Sequence, residues 1–234
     1  MNERGIVYIA TQQDRHVEEA FRAAEMAKRH APGLPITLFT DRPLRAPGCF
    51  DRIEQISGAA CGDVRANATL NRFIGLARTP YQRTLYLDTD ANVVSGKVTG
   101  IFDVLDRSDV ALVEDVPGTS DALAHTGRRM FNCGVILYRR DTGEAWLQAW
   151  REAALRNLAL ARETPVPVIP EVATVPSPDT RRWLLEVDKI ALLGVLPPDR
   201  PQALARVHVL DHSWNYRGPA ADASVNIHHP HSRA

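Results

Sequence analysis

The hydrophobic positions of this chain follow two patterns that alternate along the sequence. Short runs rich in β-branched and aromatic residues predict strands. These runs lie at Gly5–Ala10, Ile36–Thr40, Arg52–Ile56, Thr84–Leu87, Asp109–Glu114 and Phe131–Arg140. Apolar residues at helical spacing predict helices after Asp14, over Val64–Ala77 and over Thr142–Ala161. Strands that alternate with amphipathic helices predict an α/β protein, with helices covering both faces of one sheet.

The last third of the chain departs from this alternation. Residues 164–178 hold five of the sixteen prolines, and proline disfavours both helix interiors and central strands. A short strand is expected again at Val225–His229. The pattern therefore predicts one sheet-based domain that ends in an irregular C-terminal segment.

Composition narrows the classes of function. The 28 basic and 28 acidic residues cancel, which argues against a dedicated binder of nucleic acid or anionic membranes. The three cysteines are an odd number and include no CxxC or CxxxC pair, which argues against a disulfide framework and favours a reducing compartment. No window approaches the roughly 18 apolar residues that a transmembrane helix needs. We therefore expect a cytoplasmic protein with no transmembrane segment and no nucleic-acid partner.

The sharpest chemical signal follows the strand at Thr84–Leu87, which runs directly into Asp88-Thr89-Asp90. In an open α/β sheet, ligands bind at the carboxyl ends of the strands. Two carboxylates this close repel each other unless a cation neutralises them. A divalent ion such as Mn²⁺ or Mg²⁺ does so, together with substrate phosphates. The alternative is a polar turn, since aspartate is frequent at strand ends.

A second signal interrupts the strand that begins at Phe131, where Asn132 and Gly134 stand among apolar residues. Glycine within a strand marks the close approach of a ligand or of another backbone. A β-bulge in a core strand is the alternative explanation.

A third signal is the group of histidines at His228, His229 and His231. Because side chains alternate along a strand, Asn226 and His228 are expected to share the polar face. We therefore predict that His228 is the metal ligand, with solvated terminal histidines as the alternative. A nitrogen ligand would also favour Mn²⁺ over Mg²⁺.

Taken in order, these segments resemble the metal-dependent glycosyltransferases of the GT-A fold, and among them the family-8-like nucleotide-diphospho-sugar transferases. The segments that carry the resemblance are GIVYIAT, TPYQRTLYLDTD, FNCGVILY and HSWNYRG…NIHH. The resemblance implies a single GT-A-like domain over residues 1–234 with a Rossmann-like mixed sheet. Residues 1–115 would form the half that binds the nucleotide sugar, and residues 116–234 the half that faces the acceptor.

The resemblance also implies roles for the site residues. Asp88, Asp90 and His228 would hold Mn²⁺, or Mg²⁺, on the diphosphate of a nucleotide sugar, with UDP expected as the nucleotide. Asp88 and Thr89 would also face the nucleotide.

Other residues would surround the donor. Ala10 and Thr11 match the end of the first strand, which cradles the base. Asn132 and Gly134 match the strand that lines the sugar pocket. Arg72, on the helix before the acidic strand, is our choice for the cation that stabilises the departing diphosphate. A solvated arginine on the helix surface is the alternative.

The sequence departs from this family in two places. Family members often carry an Asp-Gln pair that opens a helix after the acceptor loop, and the best match here is Asp179-Thr180. Relatives also end in a Lys-Pro-Trp tail that this chain lacks, so Arg72 and Arg233 are the substitutes proposed for gripping the diphosphate.

Two other functions stay open at this stage. A haloacid-dehalogenase-type phosphatase also places two aspartates after an apolar strand, the first acting as nucleophile. A nucleotide-sugar-binding protein without activity would use the same site. For an enzyme, the resemblance suggests retention at the anomeric carbon. The sugar would be transferred to an acceptor that the resemblance leaves unspecified.

Overall fold

The computed structural model describes residues 2–44, 48–57, 64–115, 130–163, 187–196, 204–219 and 222–230. Its strands are β1 (Asn2–Ala10), β2 (Ile36–Thr40), β3 (Arg52–Gln55), β4 (Tyr81–Leu87), β5 (Asn92–Val93), β6 (Val110–Glu114), β7 (Phe131–Arg139), β8 (Val207–Leu210) and β9 (Ile227–His228). Its helices are α1 (Asp14–His30), α2 (Val64–Ala77), α3 (Arg140–Glu163) and α4 (Val187–Val195). Two 3-10 helical segments lie at Gly96–Asp106 and His212–Asn215.

Seven of these strands form one sheet in the order β3-β2-β1-β4-β7-β6-β8. Among the described strands of this sheet, β7 alone runs antiparallel to its neighbours. The chain proceeds outward from β1 to β3 and then returns to pair β4 with the other side of β1. Ligands of open α/β sheets bind beyond the strand ends at such a reversal of order. The crevice beyond β1 and β4 is therefore where the site should lie.

Both faces of the sheet are covered. One hydrophobic core packs α1 and the segment Gly96–Asp106 against the sheet, and the other packs α2, α3 and α4 against the opposite face. Trp146 and Trp150, one turn apart on α3, are fully buried and stack with their centroids 5.6 Å apart. The mixed sheet with helices on both faces, predicted from the sequence, is thus confirmed.

Several boundaries differ from the prediction. β9 has only two residues, because it pairs with the equally short β5 rather than with the main sheet. α4 was not predicted at all. Residues 164–178 lie outside the described residues, and the proposed division at residue 115 stays a prediction. None of the described helices is long and apolar enough to cross a membrane.

Candidate active site

The two predicted acids lie where β4 leaves the sheet. The backbone N–H of Asp88 donates to the Gly134 carbonyl at 2.8 Å, which extends the pairing of β4 with β7 by one residue. The chain then turns, and Ala91 N–H donates back to the Asp88 carbonyl at 2.9 Å. This turn directs Asp88 and Asp90 into the crevice beyond β1 and β4.

A histidine completes the group, and it is His229. Its Nε2 lies 3.0 Å from Asp90 Oδ1 and 3.9 Å from Asp88 Oδ2. One ligand atom from each of the three residues lies within 4.8 Å of the others. Burial raises the pKa of Asp90, but the hydrogen bond and charge of His229, its own backbone N–H and the charge of Arg217 together lower it by more, so the net pKa lies below its usual value. Asp90 is therefore ionised at neutral pH.

The structure corrects the expectation that His228 faces the acids. His228 Nε2 instead contacts the Gly218 carbonyl at 2.9 Å, and its ring lies 6.0 Å from that of Tyr216. Side chains do alternate here, since Ile227 and His229 are both buried while His228 is more exposed. The error was to assign the apolar side of the strand to a dry core, whereas that side ends at the carboxylates.

The lack of a side chain at Gly134 makes room for His229 and Asp88 beside β7. A Cβ on this residue would collide with the His229 ring and lie 2.7 Å from Asp88 Oδ2. The Gly134 N–H donates to Asn132 Oδ1 at 2.7 Å, and the register of β6 and β7 shifts at this point. Close approach and a bulge therefore occur together, and the described groups that approach are the protein's own His229 and Asp88.

Arg72 ties the acidic turn to the rest of the site. Its guanidinium donates to Asp88 Oδ1 at 3.1 Å, to the Tyr86 hydroxyl at 3.0 Å and to Asp188 Oδ2. Burial lowers the pKa of Arg72, but the Tyr86 hydroxyl and the two carboxylates raise it by more. Arg72 is therefore a charged, ordered bridge between β4 and α4 and not a solvated surface arginine.

The second partner of that bridge, Asp188, was missed by the sequence analysis. α4 opens with Val187, Asp188 and Lys189, whereas the predicted pair Asp179-Thr180 lies outside the described residues. The indole N–H of Trp150 donates to the Asp188 carbonyl at 2.7 Å, which fixes the start of α4 against α3. The signal that could have located α4 is an acidic residue just before the apolar run at 190–193.

Lys189 extends the charged network to the end of β6. Its Nζ lies 2.6 Å from Asp115 Oδ2. Asn132 Nδ2 donates to Asp115 Oδ1 at 3.4 Å, and Arg217 lies 3.9 Å from the same oxygen. The Asn132 amide thus links the bulge in β7 to this network, which occupies the side of the site formed by β6, β7 and α4.

A cavity of about 200 Å³ lies on the other side, between α1, α2 and the acidic turn. Its walls include five of the residues predicted from the sequence: Thr11, Arg72, Asp88, Thr89 and Asp90. Ala10 is fully buried beneath it, in register with Thr40 of β2. The Thr11 hydroxyl accepts from Asn71 Nδ2 at 3.1 Å, and the Thr89 hydroxyl donates to Glu19 at 3.0 Å. The structure therefore collects most of the predicted donor-side residues around one opening.

No protein-family model and no curated protein matches the sequence. Several solved structures, however, resemble the structure of this chain. The glycosyltransferase GlyE of Streptococcus pneumoniae TIGR4 superposes with a TM-score of 0.59 at 16% identity, over 93% of this chain and 47% of GlyE. The galactosyltransferase LgtC, solved with donor and acceptor sugar analogues, gives a TM-score of 0.57 at 15% identity, over 98% of this chain and 88% of LgtC. Mouse xyloside xylosyltransferase 1 gives 0.59 at 12% identity, over 98% of both chains.

The chain has a GT-A fold. This confirms the fold that the resemblance implied, although the chain spans only about half the length of GlyE. At 12–17% identity the likeness shows the fold alone, and function must be argued from the site. The three structures are glycosyltransferases, so none of them favours the haloacid-dehalogenase-type alternative.

Proposed function

We propose that this chain is a glycosyltransferase that uses a nucleotide-diphosphate sugar and a divalent cation. The observation that carries the proposal is the convergence of Asp88, Asp90 and His229 at the reversal of strand order in a GT-A fold. Both the position and the donor atoms suit a cation that binds a diphosphate.

The residues present fit a cation of the Mn²⁺ or Mg²⁺ type. Two carboxylates supply the oxygen donors that such ions prefer, and one imidazole nitrogen favours Mn²⁺ over Mg²⁺. The missing side chain of Gly134 leaves the room that His229 and Asp88 need to approach each other. Asp88, Asp90 and His229 would hold the ion. When bound, it would supply positive charge to the departing diphosphate.

The chain's own residues prepare this site before any ligand arrives. Asp88 Oδ1 accepts hydrogen bonds from Arg72 at 3.1 Å and from the Tyr86 hydroxyl at 2.6 Å, whereas Asp88 Oδ2 points towards His229. One oxygen is thus anchored and the other presented to the site. A preorganised group of this kind needs no rearrangement when charge develops. Arg72 adds its own positive charge beside the position of the diphosphate.

The donor and the stereochemistry are part of the proposal. We assign the cavity beside Thr11 and Thr89 to the nucleotide, which we expect to be UDP. We assign the side lined by Asn132 and Asp115 to the sugar. Retention of configuration is proposed on the resemblance to family-8-like enzymes. NMR of the fresh product tests it, and a product anomer opposite to that of the donor would contradict it.

Turnover distinguishes an enzyme from a protein that only binds nucleotide sugars. The purified chain is incubated with UDP-, GDP- and ADP-sugars plus Mn²⁺, with and without a mixed set of sugar acceptors, and the released nucleotide is measured. We expect release from a UDP-sugar that stops in chelator and in Asp90→Asn. The matched control Asp103→Asn, on an exposed part of the segment Gly96–Asp106, should be as active as the wild type. Mn²⁺-dependent binding without release would leave the silent binder as the better description.

A further inference from the structure

His229 makes a second polar contact on the far side of its ring. Its Nδ1 lies 2.9 Å from Asn215 Oδ1, and Asn215 is only 3% exposed. An amide oxygen can only accept a hydrogen bond, so the hydrogen between these atoms belongs to Nδ1. A neutral His229 ring held in this way would offer the lone pair of Nε2 to a cation bound by Asp88 and Asp90.

The backbone around Asn215 is fixed by several hydrogen bonds. Asn215 ends the 3-10 segment His212–Asn215, whose start is capped by the side chain of Asp211. The next residue, Tyr216, donates from N–H to the Ile227 carbonyl at 3.0 Å, and its own carbonyl accepts from His229 N–H at 2.9 Å. Two backbone hydrogen bonds of Tyr216, one on each side of His228, therefore hold the segment that carries Asn215 against the segment that carries His229.

We propose that Asn215 is a positioning residue that selects the metal-binding tautomer of His229. This inference rests on the proposed function, because it presumes that His229 binds the cation. In the opposite tautomer Nε2 carries the hydrogen and donates it to Asp90 at 3.0 Å, which would occupy both a ligand nitrogen and a ligand oxygen. Asn215 opposes that tautomer, because its Oδ1 would then face the lone pair of Nδ1. Partners of this kind orient histidine ligands and strengthen their binding.

Two substitutions at one position test the idea. Asn215→Leu keeps the branched shape of the side chain but removes the acceptor, and Asn215→Asp keeps an acceptor oxygen. Mn²⁺ binding is measured without nucleotide, from the electron paramagnetic resonance signal of free Mn²⁺. We expect Asn215→Leu to weaken Mn²⁺ binding by about 10- to 100-fold, the usual effect of losing such a partner. Asn215→Asp should bind close to the wild-type level. Wild-type affinity in Asn215→Leu, or equal loss in both variants, would overturn the proposal.

A role in orienting a nitrogen ligand also predicts a change in metal preference. Mg²⁺ depends on oxygen ligands and water, so its affinity, measured by competition with Mn²⁺, should fall less than that of Mn²⁺ in Asn215→Leu. A parallel fall for both ions would indicate a general distortion and would contradict the proposal. Asn226→Leu is the matched control, since Asn226 is also buried but bonds Ser213 rather than His229. It should leave Mn²⁺ affinity unchanged.

His229→Ala separates this inference from the proposed function. If His229→Ala loses Mn²⁺ affinity while Asn215→Leu does not, the metal site stands and the role of Asn215 is wrong. If His229→Ala binds Mn²⁺ as the wild type does, the assignment of the metal site itself is wrong, and the role of Asn215 falls with it.

Discussion

Replacing Arg72 should cost stability as well as activity. Its guanidinium lies between Asp88 and Asp188, whose side chains are 26% and 8% exposed. In Arg72→Met the two carboxylates face each other without the cation between them. Breaking a buried ion pair on one side usually costs 3–5 kcal/mol, and the partial exposure of Asp88 reduces this to about 2–3 kcal/mol. For a chain of this length that corresponds to a fall in Tm of roughly 5–10 °C.

Thermal unfolding followed by circular dichroism measures the effect, with Arg139→Met as the matched control. Arg139 pairs with Asp141, which is 54% exposed, so removing that pair should cost less than about 1 kcal/mol. Adding Asp188→Asn to Arg72→Met should recover part of the loss, because one of the two unpaired charges is then removed. A change in Tm of 1 °C corresponds to about 0.3–0.5 kcal/mol for a chain of this size. A Tm of Arg72→Met within 1 °C of the wild type, measured beside the same control, would refute the stabilising role of the Arg72 bridge. The sequence analysis assigned Arg72 only to the departing diphosphate and not to the stability of the fold.

Three further predictions concern single positions. Gly134→Ala should destabilise the fold by about 1–3 kcal/mol and weaken Mn²⁺ binding, because the new methyl group displaces His229; unchanged Tm and affinity would contradict this. His229→Ala should abolish Mn²⁺-dependent UDP binding in calorimetry, whereas His228→Ala should not. Arg206 lowers the pKa of Asp109, so this carboxylate stabilises the fold above its unfolded pKa of about 3.9, and that contribution is lost as pH falls below it. The Tm gap between wild type and Asp109→Asn should therefore close in acid.

Local patterns were sufficient for the elements that local chemistry determines. β2 and α2 have the predicted bounds, because a buried apolar run and a helical apolar stripe each mark their own ends. Asp88 and Asp90 were found for the same reason, because their candidate role follows from their position at the end of a single strand.

The rest of the site depends on distant pairings that no local pattern contains. Arg72 and Asp188 are 116 residues apart in sequence, and only the packing of α4 beside α2 and α3 joins them. His229 was passed over because alternation shows which residues share a side of the strand but not which side meets the carboxylates of β4. Asn215 is likewise assigned a role only through its contact with the His229 ring, 14 residues further along the chain.

The most direct test of the account is a calorimetric titration of UDP into the wild-type chain, with Mn²⁺ and again with chelator. The account predicts binding with Mn²⁺, loss of that binding in chelator, and loss in Asp90→Asn even with Mn²⁺ present. It predicts normal binding in Asp103→Asn, which keeps the site intact. Equal binding of UDP with and without the cation, or normal binding by Asp90→Asn, would contradict a cation-dependent nucleotide site at the end of β4.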